Sequence, residues 1–124
     1  MNPESWDLYQ KWRPEFAKAI DEDLYPLPWL DVVVACGRAF FISDDRCAAL
    51  YEVRQYPSGA RDIHGLVAAG DLSAIVEWLI PAVEAHGRAL GCSGFLIESR
   101  DGWSKILKSQ GFEKFQTSVR KPLV

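Results

Sequence analysis

Among the side chains whose types suit acid–base chemistry, Glu52, His64 and Glu98 stand out within or at the end of strand-like segments. An imidazole with an ordinary pKa of ~6.5 needs little tuning to exchange protons near neutrality, which makes His64 the most attractive titrating group. Glu98 follows an apolar tripeptide, Phe95-Leu96-Ile97, and a carboxylate so placed can act as a general base, taking a proton directly or through water. Glu52 has similar standing. Each also has a structural alternative: a hydrogen-bonded histidine, or carboxylates paired with nearby cations such as Arg100. Alternation along the strand does not say which face His64 occupies. His86 sits beside Val83 and Leu90 in a helical pattern and reads as flanking a core, and Tyr56 and Ser104 carry hydroxyls able to donate a proton. Cys36, Cys47 and Cys92 are odd in number, widely spaced and in apolar company, so they read as small core residues rather than a disulfide framework or a zinc site.

The elements that must position these groups can be read from caps, periods and breakers. Asn2, Pro3 and Glu4 form a helix start. Trp6, Tyr9, Trp12, Phe16 and Ile20 share one face of that helix, and Pro14 predicts a split or kink into two short helices. This aromatic stripe suits either a core or a partner surface. Pro28 and Gly37 bracket a short helix despite the strand-favouring Val32-Val33-Val34. Arg38 to Ser43, Cys47 to Gln55 and Ala60 to Ala68 read as an antiparallel meander with tight turns. Asp71 caps a long helix whose apolar residues, from Leu72 to Leu90, keep a 3.6-residue period; Pro81 should bend it and Gly91 end it. A buried strand at Phe95 to Glu98, parallel to the last meander strand, is followed by a helix from Asp101 to about Gln110, a left-handed stop at Gly111, and a final strand from Phe112 to Val119.

The chain has 124 residues, 48% of them hydrophobic, which suits a single domain over 1–124. Net charge is -3 with no block of like charge, so duplex nucleic acid and anionic membranes are poor partners. No apolar run has the length of a membrane span and the N-terminus lacks a signal-peptide pattern, so a cytoplasmic protein is expected.

The α+β order of meander, long helix with Glu84-Ala85-His86-Gly87-Arg88-Ala89-Leu90-Gly91, buried strand, short helix and Gly111-Phe112 resembles the GNAT superfamily of N-acetyltransferases, with a mixed central sheet. Gly102-Trp103 further resembles small GNAT-like proteins encoded by phages and prophages. The resemblance implies acetyl-coenzyme A lying where two parallel strands splay apart, its diphosphate on the start of the long helix. The segment that would hold it is Leu66-Val67-Ala68-Ala69-Gly70-Asp71-Leu72. It departs from the family pattern: the leading Gln or Arg is missing, one glycine remains, and Asp71 puts a negative charge where the diphosphate should dock. The tyrosine that often protonates the leaving thiolate is missing from the short helix. Two expectations follow. One is a diverged binding or structural module with weak or lost acetyl-coenzyme A binding, a dissociation constant above roughly 1 mM, and protein partners. The other is an active N-acetyltransferase acting on an unknown small-molecule or protein amine, with Glu98, His64 or Glu52 assisting deprotonation and no metal. The departures favour the first.

Overall fold

Asn2 accepts a hydrogen bond from the Ser5 amide at 2.8 Å and so starts α1 (Pro3–Ala19) in a computed structural model that describes residues 1–98 and 101–123, the side chains of residues 101, 102 and 104 excepted. The expected split at Pro14 does not occur; α1 runs through it. Pro14 and Gln10, whose carbonyl loses its partner, are both exposed, so water can satisfy the freed group. Tyr9 and Phe16 are buried on the opposite face, which settles the aromatic stripe as core. Helix α2 (Leu27–Ala35) forms as expected, with Pro28 in its first turn. The two helices are tied by Asp31, which accepts from the Tyr9 hydroxyl at 2.5 Å and takes both ends of the Arg13 guanidinium at 2.9 Å.

The Arg13 hydrogen bonds, with that of Tyr9, hold Asp31 below the usual carboxylate range against the opposing effect of burial. A folded-state pKa below the unfolded one contributes stability that is present above about pH 4 and lost as pH falls through the folded value. The melting-temperature gap between the native chain and Asp31→Asn should therefore be widest near neutrality and close towards pH 3, and a gap independent of pH would show that this carboxylate is not held in its charged form.

The strands are β1 (Phe40–Ser43), β2 (Cys47–Gln55), β3 (Arg61–Gly70) and β4 (Gly94–Ile97), in sheet order β1-β2-β3-β4. The first three form the antiparallel meander, and β4 lies parallel to β3 on the far side of the long helix. Residues alternate across the sheet: Ala48 and Leu50 pack with α1 and α2, whereas Cys47 and Ala49 pack beneath the long helix with Ile75, Leu79 and Ile80. Of the cysteines only Cys47 is fully buried; Cys36 is exposed.

The long helix is made of α3 (Leu72–Ala74), a π-helical turn (Ile75–Leu79) and α4 (Ile80–Ala89). Its irregularity sits one turn before Pro81, where the Ile80 amide bonds to the Ile75 carbonyl. A proline ring crowds the carbonyl four residues earlier, and the wider turn makes room for it. Gly91 ends the helix at φ 79°. Helix α5 (Asp101–Lys108) then leads to Gly111 at φ 87°. A Cβ there meets nothing within 4 Å, so Gly111→Ala should lower stability by about 1 kcal/mol through backbone strain alone. Gly94→Ala is no mild comparison, because its Cβ would press on the Asp62 carboxylate. Gly65→Ala, with ordinary contacts from 3.7 Å, serves that purpose, and equal melting temperatures for Gly111→Ala and the native chain would refute the helix stop.

The final strand expected at Phe112 to Val119 is not formed. Phe112 packs edge-on against Phe95 at 5.2 Å, but beyond it the chain pairs with no strand among the described residues, and Phe115, Val119 and Leu123 are 73%, 92% and 90% exposed. β-Propensity favours a strand only when a partner edge and a packing surface are supplied. No helix among the described residues is long and apolar enough to cross a membrane.

Candidate functional site

The register of β2 on β3 sets Glu52 directly opposite His64. That cross-strand placement brings Glu52 Oε1 to 3.1 Å from His64 Nδ1, while Glu98, just past the end of β4, reaches His64 Nε2 at 3.1 Å. The three side chains singled out from the sequence therefore converge on one imidazole that is only 4% exposed. Only a doubly protonated ring can donate to both carboxylates; a neutral ring donates to one and turns a lone pair to the other. Arg54, two residues along the same face from Glu52, completes the group. Its Nη1 donates to Glu98 Oε1 at 3.2 Å, and its Nη2 lies 3.1 and 3.2 Å from the two ring nitrogens. In-plane lone pairs diverge, so one donor cannot align with both, and the guanidinium edge rests against the ring. Arg54 was legible as a period-two neighbour of Glu52, but its role depends on where β4 ends.

A small pocket of about 60 Å³ opens over this group, lined by Tyr25, His64, Gly65, Leu66 and Glu98. Glu98 is the acid that faces it, 58% exposed, whereas Glu52 is largely covered. Tyr25, from the α1–α2 connection, stacks on Trp29 at 5.6 Å and had no sequence signal marking it for the site.

The pocket lies where β3 and β4 part. Their last pair is Gly65 with Ile97; the register of β3 on β2 then jumps from Tyr51–Gly65 to Leu50–Val67, leaving Leu66 as a bulge. A bulge bends its strand and strengthens its twist, which turns β3 away from β4. From Leu66 to Gly70 the β4 side of β3 has no strand partner among the described residues. A cleft of about 350 Å³ runs along this free edge, bounded by Ala68, Ala69 and Gly70, by Leu72 and Ile75 of the long helix, by Glu15, Lys18 and Ala19 of α1, and by Trp103. The free edge offers backbone groups to an extended, amide-bearing ligand. The helix start is different: β3 ends at Gly70 and α3 begins at Leu72, so a single residue joins them. The Asp71 amide donates to the Arg46 carbonyl at 2.9 Å, and its carboxylate accepts from the Ser73 amide at 3.1 Å. Lys18 is bonded to Glu15 at 3.3 Å, and Arg46 to Asp44 at 2.9 Å.

Of the other residues considered from the sequence, His86 is on the opposite face, its Nδ1 2.7 Å from the Tyr51 hydroxyl and its ring edge-on to Phe40. Tyr56 donates to Asp62 at 2.8 Å. Arg100, the side chain of Ser104 and the Asp101 cap lie outside the described residues.

No protein-family model matches the sequence, and no curated protein matches it. Comparison with solved structures finds clear matches throughout its length. An aminoglycoside 6'-N-acetyltransferase from Acinetobacter haemolyticus aligns over 100% of this chain and 95% of its own, with TM-score 0.71 and 16% identity. A predicted acetyltransferase with acetyl-CoA from Clostridium acetobutylicum aligns over 98% and 92%, with TM-score 0.67 and 9% identity. The glucosamine-6-phosphate N-acetyltransferase of Arabidopsis thaliana aligns over 95% and 92%, with TM-score 0.63 and 7% identity. The fold is that of the GNAT acetyltransferases, as the order of elements in the sequence implies.

Proposed function

We propose that the protein is an N-acyltransferase that moves an acyl group from a thioester to an amine at the Glu98–His64–Glu52 cluster. One observation carries this reading: the three acid–base residues meet within 3.1 Å contacts at the point where β3 leaves β4. A thioester lying along the free edge of β3 supplies the electrophilic carbonyl carbon. The new N–C bond forms as the C–S bond breaks, the amine proton passes to Glu98 directly or through water, and the departing sulfur takes a proton from solvent. Glu98 is the exposed carboxylate and so the group that touches the amine. His64 positions it, Glu52 fixes the ring from the covered side, and Arg54 offsets the paired negative charge. Two neighbours of the same fold are named for amine acceptors, which supports an amine, of a small molecule or a protein, as the acceptor class.

The test is thiol release from acetyl thioesters across a panel of primary amines, including aminosugars. Amine-dependent release supports the reading, and none with any amine sinks it. A binding or structural module on this fold is the second reading, favoured by the closed start of the long helix, where Asp71 uses both its amide and its carboxylate locally.

A further inference from the structure

We infer that the donor is held by its pantetheine-type arm alone, and that the nucleotide half of coenzyme A has no binding site on this chain. The inference rests on the acyltransferase reading and deepens it by naming the part of the donor that is recognised. A nucleotide diphosphate is normally held at a strand-to-helix junction by unpaired loop amides and the positive helix end. Here there is no such loop. The junction is the single residue Asp71, whose amide is spent on Arg46 and whose carboxylate covers the Ser73 amide. Asp71 also sets a negative charge in front of the helix, where an anion would be repelled. Gly70 adds no adaptable loop, since its backbone is packed against Arg46 and Cys47.

The pantetheine half meets the opposite situation. The free edge of β3 from Leu66 to Gly70 spans about 16 Å at the usual strand rise, enough for an extended arm carrying two amides. Its end at Leu66 adjoins the pocket over His64 and Glu98, and its other end opens into the cleft beside Trp103. The thioester and the acid–base group are thus brought together without any contact to phosphate. Any donor that shares the arm, whether free pantetheine, its phosphate or a carrier-protein prosthetic group, satisfies the same edge.

The experiment is an NMR titration of the full chain with S-acetylpantetheine, acetyl-coenzyme A and adenosine bisphosphate, following backbone amides. Both thioesters should shift the Leu66–Gly70 amides with dissociation constants within about threefold of each other, near or above ~1 mM, and adenosine bisphosphate should leave residues 71–74 unmoved. Asp71→Asn keeps a capping oxygen and removes the charge, so it should tighten acetyl-coenzyme A about two- to fivefold and leave S-acetylpantetheine unchanged. Acetyl-coenzyme A binding more than about tenfold tighter than S-acetylpantetheine, or adenosine bisphosphate binding at residues 71–74, would overturn the inference while leaving the acyltransferase reading intact. If neither thioester perturbs Leu66–Gly70, that reading falls as well.

Discussion

Gly70→Ala should destabilise the protein more than any other single glycine substitution at a positive φ. The residue holds φ 113°, a conformation that costs a side-chain-bearing residue on the order of 1–3 kcal/mol. A Cβ built there also lies 2.7 Å from Cys47 Cα and presses on the Arg46 carbonyl, backbone atoms at the start of β2 and in the turn just before it. Relief requires parting the β2–β3 ladder at its end and stretching the Asp71–Arg46 hydrogen bond, a distortion of the overpacking kind that costs about 1–3 kcal/mol more. The two effects together amount to roughly 3 kcal/mol or more, a fall in melting temperature on the order of 10 °C for a domain of this size. Gly59→Ala is the control, since it shares the positive φ of 90° but meets nothing within 4 Å, and it should lose only about 1 kcal/mol. Indistinguishable melting curves for the two variants would show that the tight junction between β3 and α3 does not exist in solution.

Glu98→Gln should leave the fold intact and remove most of the transfer rate. Glu98 is more than half exposed, Arg54 and His64 keep contact with each other, and His64 keeps Glu52, so melting should change little. The amide cannot accept the amine proton, and loss of a general base typically costs about 10²-fold or more in kcat/KM. Glu52→Gln acts only through the orientation and charge of His64, so its rate loss should be smaller and should come with an altered pH profile. Full activity in Glu98→Gln would remove Glu98 from the chemistry and the carrying observation with it. His64 itself makes a poorer test, because removing a buried ring empties its place in the core and takes the partner from the largely covered Glu52, which confounds rate with stability.

Much of this architecture was legible because the interactions that define it are local. Asn2 and Asp71 cap amides two or three residues away, Gly91 and Gly111 stop helices through their own backbone, and the apolar period from Leu72 to Leu90 needs no knowledge of the rest of the chain. The meander and the parallel β4 followed from the lengths of the connections between strands. Three side chains that meet at one point, Glu52, His64 and Glu98, were recognisable by type alone.

Their meeting was decided by tertiary structure. A strand's faces are assigned by register, a one-residue slip exchanges them, and nothing in the residues around His64 specifies that it stands opposite Glu52. The bulge at Leu66 that parts β3 from β4, the extension of β3 to Gly70 that leaves Asp71 as the whole junction, and the pairing of Arg54 with Glu98 across 44 positions are all products of long-range strand pairing. The same physics accounts for the two failures. Pro14 does not break α1, because the Gln10 carbonyl it frees belongs to an exposed residue while Tyr9 and Phe16 anchor both halves of the helix; the strand-like tail after Phe112 forms no strand among the described residues, because propensity alone supplies no partner edge.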